Sequence, residues 1–97
     1  MLEIDMTEAG TVTMGGRLDA AAADQAESYL NDITGAFVID MGQLEYISSA
    51  GLGVLLKTHK KFLGQGQSLK LVNVNNHIND IFKYSGFDKL FDIESNQ

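Results

Sequence analysis

The chain contains no cysteine. A disulfide framework and a thiolate metal site are both excluded, and nothing points to an oxidising compartment. Proline is also absent, so the turns must rest on glycine and asparagine. No apolar run approaches the length needed to span a bilayer. Met1–Asp5 lacks the basic start and apolar stretch of a signal peptide. These absences lead us to expect a soluble cytoplasmic protein with no part in the membrane. Basic residues are scarce as well: 7 Lys and Arg face 13 Asp and Glu, for a net charge of −6. Duplex binding needs basic side chains to neutralise phosphates, so nucleic acid is not the expected partner.

What charge there is falls unevenly. Residues 1–45 hold nine acidic groups and one basic residue, Arg17; residues 46–97 hold four acidic and six basic groups. Such asymmetry suits an acidic face for a basic protein partner, although ordinary solvated surface explains any one of these charges. The 97 residues make one compact domain, residues 1–97, with enough apolar content to bury its own core. There is no internal repeat, linker or low-complexity tract.

Leu2, Ile4 and Met6 alternate with acidic residues, as do Val12 and Met14 with polar ones, and the two stretches read as a hairpin turning at 7–10. Gly15-Gly16 ends it. Asp19 is placed to cap a helix from Ala20 to Ile33 with Ala22, Ala26, Tyr29, Leu30 and Ile33 inward, stopped by Gly35. The run 36–39 reads as a strand buried on both faces, followed by Asp40 and a loop. Leu69, Leu71, Val72 and Val74 form another strand. Asn75 or Asn76 then caps a helix with Ile78, Ile81 and Phe82 inward; Gly86 suits its left-handed stop, with Phe87 packing behind. Phe91 and Ile93 read as a last edge strand, and residues 94–97 as a frayed end. The order β-β-α-β-α-β-α-β predicts an α/β domain: a mixed four- to five-stranded sheet with three or more packed helices, the later strands parallel.

The chain is organised around Tyr46–Leu56. Two serines and two glycines stand between an apolar run and an amphipathic helix whose inward stripe is Leu52, Leu55, Leu56, His59, Phe62 and Leu63. Lys57, Thr58, Lys60 and Lys61 should face water. Val54 lies off this stripe and is expected to be an exposed contact. Ser48 or Ser49 can cap the helix, its hydroxyl accepting from a first-turn N–H. A helix N-terminus also tolerates a phosphate, so either serine can serve as cap, phosphoacceptor or both.

An enzyme reading fails on the same residues. Ser49-Ala50-Gly51 supplies half of a G-x-S-x-G nucleophile elbow, but Ile47 occupies the position that needs glycine. His77 and Asp80 offer a base and orienter, yet nothing brings them to Ser49. Gly51-x-Gly53 lacks the lysine of a P-loop and the third glycine of a dinucleotide site. These glycines instead let the helix start lie close to the sheet. His59 reads as a boundary core residue. His77 has no partner at ligand spacing, so neither metal nor cofactor is expected.

The constellation resembles the STAS domain family of bacterial anti-sigma factor antagonists. The residues that carry the resemblance are Gly16-Arg17-Leu18-Asp19, Phe37-Val38-Ile39-Asp40, Ile47 to Leu55, and Ile81-Phe82 with Ser85-Gly86-Phe87 and Leu90-Phe91. The Ser-x-Gly-Leu-Gly core is the most specific of these. The resemblance implies that Ser49, two residues before Gly51-Leu52-Gly53, is phosphorylated by a partner anti-sigma factor with serine kinase activity. Ser48 is the second choice. It also implies a PP2C-type phosphatase that removes the phosphate. The unphosphorylated protein, a monomer when free, would hold the anti-sigma factor and free the sigma factor. Asp19, Ser48, Ser49, Gly51, Leu52, Gly53 and Val54 would form the partner surface. Two features depart from the pattern: many kinase-regulated members have Asp where Ser48 stands, and many continue into another helix. The alternative on the same fold is an accessory subunit of an ABC transporter or sensory assembly, not switched by phosphorylation.

Overall fold

The structure, a computed structural model, describes residues 1–7, 10–35 and 37–95. Glu8, Ala9, Ala36, Asn96 and Gln97 lie outside the described residues. With them go the middle of the predicted 7–10 turn, the start of the 36–39 run and the tip of the expected frayed end.

Strands β1 (Leu2–Met6) and β2 (Thr11–Leu18) form the predicted antiparallel hairpin, with Ile4 opposite Met14. Its turn is closed by Thr7, whose carbonyl accepts from Gly10 N–H at 3.1 Å and whose N–H donates to the Thr11 carbonyl at 2.8 Å. Helix α1 (Ala23–Asn31), β3 (Val38–Ile47), α2 (Ser49–Leu63), β4 (Lys70–Val74), α3 (Asn76–Ser85) and β5 (Asp92–Ser95) follow in strict alternation. The strands lie in the order β1-β2-β3-β4-β5, and every pair after the hairpin is parallel. The expected mixed sheet with three helices is what forms. β5 runs on to Ser95, so the chain is still paired where fraying was expected.

One row across the sheet shows where the core sits. Val12 pairs with Ile39, Ile39 with Leu71 and Leu71 with Ile93. The first three are fully buried and Ile93 packs against them. Each such side chain contributes about 1.5–3 kcal/mol by leaving water. The next row, Thr13, Asp40 and Val72, points the other way and is only half-buried. Val38, on that same open face, is half-buried too. The central strand is therefore covered on one face, not two as its apolar run suggested.

β3 is also longer than expected, continuing through the residues read as a loop. It has ten residues where its partner β2 has eight. One surplus residue falls between Asp40 and Gln43, and the other between Leu44 and Tyr46. These bulges move the inward positions from Ile39 and Met41 to Leu44 and then Ile47. Asp40 steadies the first: its Oδ1 accepts from Gly42 N–H at 2.9 Å and its Oδ2 from Asn73 Nδ2 at 3.0 Å. Beyond Asp40, β3 no longer pairs with β4. Asn75 crosses the gap, donating from Nδ2 to the Leu44 carbonyl at 3.0 Å.

α1 begins at Ala23 rather than Ala20, because residues 20–22 form a turn first. Asp19 closes that turn by accepting from Ala22 N–H at 3.1 Å, so it sits one turn ahead of the helix it was expected to cap. Ala22, Ala26 and Leu30 are buried, with Tyr29 and Ile33 at the margin. α1 ends at Asn31, ahead of Gly35. α3 matches its expected frame: Asn75 Oδ1 accepts from Ile78 N–H at 2.9 Å, and Gly86 ends the helix at φ 79°.

Candidate functional site

The site is built at the carboxyl ends of β2 and β3, where α2 begins. Ser48 N–H donates to the Leu18 carbonyl at 2.9 Å, which ties the serine loop to the end of β2 beside Asp19. Ser48 is the N-cap. Its backbone is extended (φ −93°, ψ 173°), and its Oγ accepts from Gly51 N–H at 3.2 Å. Its carbonyl accepts from Leu52 N–H at 2.9 Å and starts the helical ladder. The hydroxyl of Ser48 is thus engaged and half-buried.

Ser49 is the first helical residue and is exposed. Its side chain is free of the cap bond, which Ser48 has taken. Of the two open assignments, cap and free hydroxyl, the structure gives the first to Ser48 and the second to Ser49. No acidic residue lies in the first turn of α2, so nothing there competes with an added anion for the helix's positive end.

The two glycines have different reasons. A Cβ on Gly51 would lie 2.6 Å from the Leu18 carbonyl oxygen and 2.8 Å from Leu18 Cγ, a separation no real side chain accepts. Gly51 is buried, and its missing side chain lets α2 start against the sheet, as expected. A Cβ on Gly53 would meet nothing within 4 Å. Close packing on the sheet therefore does not explain Gly53.

Val54 is only 5% exposed and belongs to the core. The expectation of an exposed contact there is corrected: the inward face of α2 is wider than the i, i+3, i+4 stripe and takes in Val54 and Thr58. Thr58 fits inside because its hydroxyl donates to the Val54 carbonyl at 3.0 Å. Leu63, placed inward from sequence, is 55% exposed at the helix end, and Leu56 is half-buried. Leu52 is 8% exposed, so it and Gly51 support the site from beneath rather than form its surface. What is accessible is Ser49, Gly53, Asp19 and the edge of Ser48. Ala50, which sequence reasoning left out, is exposed beside Ser49. Helical phase would not have found it, because Val54, four residues on and on the same side of the helix, is buried.

Arg17 lies at the rim. Its guanidinium carbon is 4.4 Å from the Tyr46 ring centroid and its Nε is 3.7 Å from Asp19 Oδ2. Both groups are substantially solvated, so the ion pair contributes little stability. Lys57, further along α2, bonds Glu27 of α1 at 2.8 Å. That hydrogen bond, with the charge of Glu27, holds the Lys57 ammonium above its ordinary pKa. Among the described residues no group of three or more His, Cys, Asp or Glu could hold a metal ion. No helix there is long and apolar enough to cross a membrane.

Comparison with known proteins agrees with this fold. The STAS domain family model matches residues 3–97. BtrV of Bordetella bronchiseptica, named as a candidate anti-sigma factor antagonist, is 33% identical over 86 residues, covering 84% of this chain and 74% of BtrV. A crystal structure of an anti-sigma factor antagonist from Mycobacterium paratuberculosis superposes with a TM-score of 0.79 at 24% identity, covering 97% of this chain and 84% of that one. The anti-sigma factor antagonist SpoIIAA in its unphosphorylated form gives 0.64 at 17% identity, covering 92% and 96%. Its phosphorylated form, from Bacillus, gives 0.68 at 18% identity, covering 98% and 92%. At these identities the solved structures establish the fold, and the family model with BtrV establishes kinship. The chain belongs to the STAS domain family.

Proposed function

We propose that this protein is an anti-sigma factor antagonist whose partner binding is switched by phosphorylation of Ser49. In its unphosphorylated form it binds an anti-sigma factor that is also a serine kinase, and the sigma factor is freed. The kinase transfers the γ-phosphoryl group of ATP to Ser49 Oγ; ADP leaves and the hydroxyl proton is lost to solvent. A PP2C-type phosphatase returns the serine by hydrolysis. The protein itself binds rather than catalyses, and on this reading it acts in the cytoplasm, as a monomer when free.

The observation that carries the proposal is the division of labour between two adjacent serines. Ser48 caps α2, which leaves the Ser49 hydroxyl exposed on the first turn. A phosphate there adds about −1.5 to −2 charge at a helix N-terminus, where it is tolerated or mildly favourable. The fold survives, so the effect falls on the interface, where a dianion must be desolvated against the partner. Asp19 at the same end of the sheet adds to the negative potential. Gly53 suits a partner that approaches the helix backbone closely, because nothing inside the domain requires it.

The test is to incubate the protein with ATP and any kinase-like anti-sigma factor found encoded beside it, then to localise phosphate by mass spectrometry. Phosphate on Ser49 supports the proposal, and phosphate on Ser48 reverses the two assignments. If neither serine is modified, an unswitched accessory subunit becomes the better account.

A further inference from the structure

His59 is buried, 4% exposed, on the inward side of α2. Its Nδ1 accepts a hydrogen bond from the backbone N–H of Leu69 at 3.3 Å. A ring nitrogen that accepts carries no proton, so the neutral imidazole holds its proton on Nε2. Leu69 stands just before β4, fully buried, and its carbonyl accepts from Asp92 N–H at 3.1 Å, the first amide of the edge strand β5. The imidazole also meets the Phe91 ring edge-to-face, with centroids 5.3 Å apart. Phe91 in turn meets Phe82 of α3 and Phe87 of the 3-10 turn Phe87–Lys89. One imidazole thus connects the end of α2, the start of β4 and the aromatic group that holds the C-terminal strand.

We propose that His59 is a proton-sensitive latch on the C-terminal segment: protonation puts a hydrogen on Nδ1 and turns the acceptor for Leu69 N–H into a second donor. The buried amide then has no partner, which is the costly state for a backbone group away from water. The Phe91 contact persists in either form, so the hydrogen bond is what changes. The charged or titratable groups on the surrounding elements are Lys57, Lys60 and Lys61 on α2, Lys70 on β4, His77, Asp80, Lys83 and Tyr84 on α3, Asp88 and Lys89 in the 3-10 turn, and Asp92 and Glu94 on β5. Lys70 is occupied by Glu94 at 3.0 Å, and none of the ion pairs among the described residues includes His59. The imidazolium would therefore gain no carboxylate in exchange. Loosening would begin at Leu69 and Asp92 and spread through β5, an edge strand with one neighbour.

Amide hydrogen exchange on the whole chain tests this, at about pH 7.5 and about pH 5, after correction for the intrinsic rates. Protection of the Leu69 and Asp92 amides should fall about tenfold at the lower pH in the unaltered chain. His59→Asn, whose Oδ1 can accept at the same place without titrating, should lose little protection, and His77→Asn should behave as the unaltered chain. Unchanged protection in the unaltered chain, or an equal fall in His59→Asn, overturns the proposal. Imidazole nitrogen shifts of the unaltered chain give a second reading that needs no variant: a proton on Nδ1 at the higher pH also overturns it.

Discussion

The carbonyl oxygen of Leu18 occupies the space that a side chain on Gly51 would need, 2.6 Å from where its Cβ would lie. That oxygen cannot retreat freely, because it also accepts the Ser48 N–H that anchors the serine loop. Gly51→Ala should therefore cost about 1–3 kcal/mol, as overpacking does, and disturb the Ser48 anchor with it. Gly53→Ala should instead stabilise the free protein by about 0.5–1 kcal/mol, since alanine is the better helix former and the space is open. If Gly53 serves the partner, the same variant should weaken anti-sigma factor binding. Urea unfolding beside calorimetric titration separates the two glycines. Loss of stability in Gly53→Ala would mean that the open space is illusory.

Val54 has moved from surface to core, and its substitution should show that. Val54→Asp places an unpaired carboxylate among buried side chains and should cost more than about 3 kcal/mol. Leu55→Ala, one position on and fully buried, should cost about 2–5 kcal/mol. A Val54→Asp protein that melts like the unaltered one would return Val54 to the surface.

For the serines, the expectation rests on the cap. Ser48→Ala should lose about 1 kcal/mol of stability yet still accept phosphate at Ser49. Ser49→Ala should keep its stability, bind the anti-sigma factor and refuse phosphate. Ser49→Asp carries one charge on a shorter arm, so it should mimic the phosphate only partly and weaken binding by about 1–3 kcal/mol. Thermal melts and titration against the purified kinase check all three. Full affinity in both Ser49→Asp and enzymatically phosphorylated protein would count against a switch at this residue.

Asn75 makes two bonds with one amide, capping α3 through Oδ1 and reaching the Leu44 carbonyl through Nδ2. Asn75→Ala should cost about 1–3 kcal/mol, because a cap is lost and a carbonyl is stranded together. Asn75→Ser can keep the cap but not the reach, and should fall between. Equal losses in urea unfolding would assign no stability to the cap, and no loss in Asn75→Ser would assign none to the Leu44 bond.

Much of the fold was legible because its signals are local. The hairpin, β4, the Asn75 cap and the Gly86 stop each depend on residues within a few positions, and each appears where the pattern put it. β3 was cut short because two bulges shift its inward positions off a simple alternation. The start of α1 was placed early because Asp19 makes a cap-like bond to a turn, and a turn of alanines reads like helix. Val54 and Thr58 were misplaced for a different reason: how wide a helix face is buried depends on what covers it, and no periodicity carries that. At the site, the residue types were legible but not the division between Ser48 and Ser49. Which hydroxyl turns back to Gly51 depends on where the helix begins.

The two surplus residues of β3 also mark where this chain can change length. Removing Glu45 would leave Leu44 opposite Gly16, Tyr46 opposite Arg17 and Ile47 opposite Leu18, the pairs they already make. Removing Ile39, by contrast, would turn the side chains beyond it to the wrong face of the sheet. The strand that delivers the serines thus has slack at its two bulges, beyond Asp40, and none before it. A relative one residue shorter at 45 can still present the same hydroxyl at the same helix end, on a strand that is straighter and less twisted there.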